Sequence, residues 1–443
     1  MDRILSRRSF LSSTLATASV SGWLNVLAGH ARGTEKSGRR PKSCILLWMT
    51  GGPSQLETFD LKPDGPADKR GDFRPISTNV TGIQISEHLP RLSRCAHQFA
   101  ILRSMSTGVA RPPHNLAMRT MRLFQSNPLD PVARPNLGSI VSAQRGTVGD
   151  LPNFVLLGLP PGLRNSDTTA GFLGSQHAPW IVSENLQGID HRDSPVDRSV
   201  LDRRLSLLGE IDDDFGRAFR TRAAEAHRAN YHAALRLMAT PLGTAFQLDR
   251  ESDRLRDRYG RSAFGQRCLL ARRLVEAGVP FVEVPMGRDN GDGLWDTHTD
   301  NFNRTRTMSS ELDIAFSALL QDLADRGLLD ETLIIWMGEM GRTPEITQSN
   351  AGREHFVSAW SIVLAGGGIR TGQAVGRTSA DGEEVVDRPI SAQDFLATVG
   401  RALSLDLQRE YDTRTGRPAV ENTAADNRIS LVDAKARIGR EWF

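Results

Sequence analysis

The chain has 443 residues, enough for one large α/β domain with insertions or for two domains. Its composition, 39% hydrophobic and 24% charged, is that of an ordinary globular protein and excludes collagen-like and wholly disordered classes. The formal charge of +3 is concentrated at the start: residues 1–40 hold seven arginines and lysines against Asp2 and Glu35, a net of +5, so the remainder carries −2. A near-neutral body offers no electrostatic footprint for nucleic acid, which is excluded as a partner.

The first segment reads as an address. Ser6-Arg7-Arg8-Ser9-Phe10-Leu11 precedes a modestly apolar run to Ala28 that is too rich in Ser, Thr and Ala for a good spanning helix. It resembles a twin-arginine (Tat) export signal over residues 1–31, with a cleavage point after Ala31 and an uncleaved anchor as the alternative. The three cysteines, Cys44, Cys95 and Cys268, lack CxxC spacing and read as buried free thiols.

After a basic linker, 32–43, the main domain is expected over 44–405. CILLWM (44–49) is a continuous apolar run, suited to a strand buried on both faces of a parallel sheet. Leu89 to Cys95 reads as helix, QFAILRSM (98–105) as strand, 113–125 as helix and NFVLLGLP (153–160) as strand. Residues 161–195 form a Gly/Ser/Asp/Pro-rich excursion, and about 200–262 a charged helical insertion or lid. GQRCLLARRLVEAG (265–278) is a helix stopped by Gly278, followed by the strand VPFVEVP (279–285). A further helix is expected from an N-cap at Ser309 or Ser310 to Gly327. LIIWM (333–337) and SAWSIVLA (358–365) are strands, 391–404 is a last helix and 406–443 a polar tail. Alternating apolar strands and amphipathic helices predict a three-layer α/β/α sandwich with a largely parallel sheet.

Three polar clusters fall where such a sheet presents ligands, beyond the carboxyl ends of its strands. Asp296 and His298, in WDTH, offer an oxygen and an imidazole to a divalent metal. Glu339 is delivered between two glycines by a buried strand, and the blander reading is an ion pair with Arg342. His355, in GREHF, precedes another strand. Their order along the chain lets all three meet at one edge.

HTDNF, a helix, LDETLIIWMGEMG and a later His resemble the C-terminal half of the alkaline phosphatase-like superfamily, which includes sulfatases and cofactor-independent phosphoglycerate mutases. By that resemblance His298 stands at a metal-binding His, Glu339 and Met340 replace an Asp-His pair, and His355 matches the later His. GGPSQLETFDLKP, CLLARRLVEAGVPFVEV, WDTH, GEMGRTP, GREHF and LAGGGI together are similar to the domain of unknown function 1501 family, over about residues 42–405. That family comprises Tat-exported bacterial proteins, abundant in planctomycetes and assigned the alkaline phosphatase-like fold.

Two departures bear on function. Met49-Thr50-Gly51-Gly52-Pro53-Ser54 stands where superfamily hydrolases carry an Asp or Asp pair, and Arg111-Pro112-Pro113-His114-Asn115 stands where they carry a nucleophile. Glu57 and Asp60 are candidate replacement carboxylates, Ser54 or Thr50 a candidate nucleophile, and His114 a candidate ligand or general acid/base. Arg342 and Arg353 are expected to clamp an anionic ester in bidentate fashion, with glycines 51–52 and 366–368 admitting backbone amides. The expectation is an exported hydrolase of phosphate or sulfate esters using a divalent ion (zinc, manganese, magnesium or calcium) on Asp296, His298, Glu339 and His355. Its alternative is a catalytically silent scaffold or ligand-binding protein, with other cell-envelope proteins as partners.

Overall fold

A computed structural model describes residues 43–108, 111–124, 132–146, 151–159, 170–182, 196–218, 241–287, 294–412 and 428–429. The export segment and nearly all of the linker lie outside these residues. So do most of the excursion at 161–195, residues 219–240 of the helical insertion and most of the tail. Among the described residues no helix is long and apolar enough to cross a membrane.

Eight strands form the central sheet. They are β1 (Ser43–Met49), β2 (Phe99–Met105), β3 (Phe154–Leu157), β4 (Trp180–Val182), β5 (Phe281–Met286), β6 (Thr332–Met337), β7 (Trp360–Ala365) and β8 (Gln373–Val375). The order across the sheet is β8-β2-β7-β6-β1-β5-β3-β4. β1 is central and pairs in parallel with β5 on one side and β6 on the other. β7 alone runs against its neighbours, antiparallel to both β2 and β6.

The two faces of β1 explain its unbroken apolar sequence. Ile45, Leu47 and Met49 join one core and Cys44, Leu46 and Trp48 the other, as the alternation of a strand requires. Helices α4 (Ala263–Glu276) and α5 (Asn301–Asp325) cover the first face, where Leu269, Leu270, Leu312 and Phe316 are fully buried. Helices α1 (His114–Met121), α2 (Leu137–Arg145) and α6 (Ala392–Ala402) contribute Met118, Met121, Ile140 and Phe395 to the second. The molecule is therefore the three-layer α/β/α sandwich expected. Arg198–Ala218 (α3) is helical, within the segment read as an insertion.

One boundary differs. The long helix starts at Asn301, its N-cap Asp300, in the left-handed region at φ 50°, lying about two and a half turns before the expected N-caps Ser309 and Ser310. Its first turns carry polar residues because they pack under a loop rather than on the sheet: the N–H groups of Asp300 and Asn301 donate to the carbonyls of Asn350 and Ala351. The apolar period that marks a helix in sequence is absent wherever a helix faces polar backbone. The last helix begins as expected, with Ser391 and Asp394 forming a reciprocal capping box.

The direction of β7 matters for the site. Because it is reversed, the segment before its start lies at the edge where β1, β2, β5 and β6 end. Five segments therefore deliver side chains to one place. Glycines 366–368 follow β7 and lie at the opposite edge, Gly366 and Gly367 packed on Leu329, Thr332 and Leu333, so they face no ligand at this site.

Candidate metal centre

The segments after β1 and β5 come together first. The Trp295 N–H donates to the Thr50 carbonyl at 2.8 Å, and a side chain at Gly51 would meet the Asp296 nitrogen at 2.3 Å. Gly51 also holds φ 105°, so close approach and conformation both require glycine there. GREHF then packs on WDTH. Arg353 N–H donates to the Thr297 carbonyl at 3.0 Å, and a Cβ at Gly352 would lie 1.7 Å from the His298 carbonyl oxygen.

These contacts bring four ligand atoms together. One ligand atom from each of His114, Asp296, His298 and His355 lies within 4.8 Å of the other three. His355 Nε2 is 3.0 Å from that of His298 and 3.1 Å from that of His114. Asp296 Oδ1 stands 3.2, 3.1 and 3.7 Å from the Nε2 atoms of His114, His298 and His355. A tetrahedral ion with bonds of about 2.0–2.1 Å separates its ligand atoms by about 3.3 Å, so the spacing fits.

The other ring nitrogens decide the tautomers. Nδ1 of His114 faces Glu339 Oε1 at 2.9 Å, Nδ1 of His298 faces Glu354 Oε2 at 2.8 Å, and Nδ1 of His355 faces the Pro112 carbonyl at 2.8 Å. All three partners are acceptors, so each Nδ1 carries a proton and each Nε2 is left facing the cluster, free to present a lone pair once any second proton is displaced. Three lone pairs and a carboxylate pointing at one another repel unless positive charge sits between them. This is the pattern of metal-binding histidines oriented by outer carboxylates and carbonyls.

Charge is felt throughout. Burial works against a charged His114, but the Asp296 and Glu339 carboxylates outweigh it and push its pKa up to about 9. Asp296 moves the other way: burial opposes, yet His114, His355 and Arg342 hold its carboxyl far below the usual range. The side chains of His114, Asp296 and His298 are each about one-third exposed, so one side of the cluster faces solvent.

The remaining expected residues occupy different positions. Glu339 is fully buried and stands behind His114, on the far side of the ring from the four converging atoms; its Oε1 also accepts from the Gly51 N–H at 2.9 Å. Arg342 pairs with Asp296 at 2.5 Å rather than with Glu339. It also donates to the carbonyls of Gly51, Gly52 and Arg353, tying all three sequence clusters together. Arg353 is fully buried, paired with Glu57 at 2.6 Å and bonded to the carbonyls of Thr343, Pro344 and Lys69. The anion clamp expected of these two arginines thus meets guanidinium groups already engaged inside the protein.

Glu57 is spent on Arg353, and Asp60 on Lys62 and Thr378. Ser54 is buried; its hydroxyl has no hydrogen-bond partner among the described residues, and its carbonyl accepts from the Thr58 hydroxyl. Glu354 was not singled out from the sequence, although it stands beside His355. The helix α1 that carries His114 is fixed at both ends, by Glu339 at its first residue and by the buried Arg122–Glu283 pair at its C-cap.

Fold and site together define an α/β sandwich with a histidine–carboxylate cluster at the carboxyl edge of its sheet. The chain belongs to the family described as "Protein of unknown function (DUF1501)", whose match spans residues 41–429. No curated protein sequence matches it. Among solved structures it is similar to the C-terminal periplasmic domain of EcEptC from Escherichia coli in complex with Zn, at 12% identity and TM-score 0.39, covering 91% of this chain and 97% of that one. It is similar also to a sulfatase from Pseudoalteromonas sp., at 13% identity and TM-score 0.36, covering 88% and 71%. A phosphonate monoester hydrolase of Agrobacterium radiobacter matches at 13% identity and TM-score 0.37, covering 83% and 74%.

Proposed function

We propose that the protein is an exported, metal-dependent hydrolase of phosphate or sulfate esters, its cation held by His114, Asp296, His298 and His355. The observation that carries this is the convergence of three imidazole Nε2 atoms and one carboxylate oxygen, with every Nδ1 committed elsewhere. Three imidazoles and one carboxylate favour zinc, or another ion of its class, over magnesium and calcium, which prefer all-oxygen shells. Such an ion supplies Lewis-acid polarisation and a water of lowered pKa. The ester class rests on the likeness of HTDNF, LDETLIIWMGEMG and the later His355 to the alkaline phosphatase-like superfamily, and export on the twin-arginine segment.

The chain's own groups have distinct tasks in this reading. Arg342 holds Asp296 in place and offsets its charge. Glu354, Glu339 and the Pro112 carbonyl hold the imidazoles in the binding tautomer. The solvent-facing side of the cluster is where an anionic ester approaches.

One observation favours the second reading, a silent ligand-binding or scaffold protein with cell-envelope partners. Four protein ligands fill a tetrahedral shell, as in structural sites, whereas catalytic sites keep a position open. The test is direct. The mature protein, purified without added metal, is assayed for bound ions and then against aryl phosphate, phosphodiester and aryl sulfate substrates. Stoichiometric metal with chelator-sensitive turnover is expected. Stoichiometric metal without turnover transfers the case to the silent reading, and absence of metal sinks the metallohydrolase.

A further inference from the structure

Glu339 is buried completely, and its Oε2 has no partner among the described residues. A carboxylate is costly to desolvate and persists where its charge is used. Here the user is His114, whose Nδ1–H bond to Oε1 is the only hydrogen bond to a fully buried carboxylate among the three histidines. The Nδ1 of His355 meets a neutral carbonyl and that of His298 a half-exposed carboxylate. A charged acceptor in a low-dielectric setting makes the strongest of these bonds. His114 also depends on it most. It is the first residue of α1, and its N-cap, Pro113, supplies no side-chain capping bond to steady the backbone there.

We infer that Glu339 is a positioning residue for the metal centre: it aims His114 Nε2 inward and so makes this side chain the fourth ligand of a four-coordinate ion. The inference rests on the reading that the cluster binds a metal. Without Glu339 the ring is free to turn, three protein ligands remain, and water enters the coordination shell. Ions that keep water then compete better with zinc.

Cobalt(II) is the probe, because its visible absorption is intense when four-coordinate and weak when six-coordinate. The mature chain is compared with Glu339→Gln, Glu339→Ala, His114→Ala and the double alanine variant, each checked for folding by circular dichroism. The wild-type chain should give the intense band. In Glu339→Ala the band should shift and weaken as water replaces the imidazole, and zinc affinity should fall about 10–100-fold. Glutamine, which keeps an acceptor for both N–H groups, should retain the band with a loss of about 10-fold. In the His114→Ala background Glu339→Ala should add nothing. An unchanged band and affinity in both Glu339 variants overturns the inference, as does an equal loss with and without His114, which marks a merely structural role. Failure of the wild-type chain to bind cobalt or zinc overturns the metal reading as well.

Discussion

Glu354 sits beside His355 in the chain, yet its Oε2 accepts from Nδ1 of His298 at 2.8 Å, joining GREHF to WDTH across the site. His355 turns instead to the Pro112 carbonyl, at the head of α1. Each histidine is thus held by a segment other than its own, and the centre is assembled only when the sheet edge is complete.

Removing Glu354 tests that cross-link. Glu354→Ala should weaken zinc binding by about 10–100-fold, the usual cost of losing an outer carboxylate. The residue is half-exposed, so the melting temperature of the metal-free protein should move little. Calorimetric titration with zinc and a thermal melt measure the two effects.

Metal removal should act on stability. A ligand that binds only the folded chain stabilises it by about 2.7 kcal/mol at a hundred times its dissociation constant. Chelator treatment should therefore lower the melting temperature by a few degrees. Zinc should restore it, while magnesium and calcium at the same concentration should not. Full recovery with magnesium would contradict the imidazole-dominated donor set.

Proton linkage follows from His114. In the metal-free protein its pKa is raised from 6.5 to about 9, burial opposing and the Asp296 and Glu339 carboxylates prevailing. The imidazolium then contributes stability that is fully present below about 6.5 and is lost as pH rises through about 9. Metal must displace that proton, so apparent zinc affinity should climb with pH up to about 9 and then level. Titrations in two buffers of different ionisation enthalpy should show proton release at pH 7.5.

The Glu57–Arg353 pair predicts a global effect. Both side chains are fully buried, so Glu57→Ala strands a guanidinium in the interior. About 3–5 kcal/mol of stability should be lost. A urea unfolding curve reads this directly, and a loss under 1 kcal/mol would show that the arginine finds another partner.

Local patterns in the sequence determined much of this protein. Continuous apolar runs identified β1 and β6 because strands covered on both faces cannot alternate. Asp296, His298 and His355 were recognisable as ligand types placed beside strand ends, and three of the four converging atoms come from them. The tertiary structure alone decided the rest. The reversal of β7 brings the segment before it to the ligand edge and sends glycines 366–368 away, and strand direction leaves no trace in composition. His114, 182 residues before Asp296, became the fourth converging group, while Glu339 stands behind it as its hydrogen-bond acceptor. Arg342 chose Asp296 over the neighbouring Glu339 because its guanidinium is clamped by the carbonyls of Gly51 and Gly52. Residue type and local period are written along the chain. Which side of an imidazole ring a carboxylate meets depends on contacts across hundreds of residues, and those exist only once the sheet has formed.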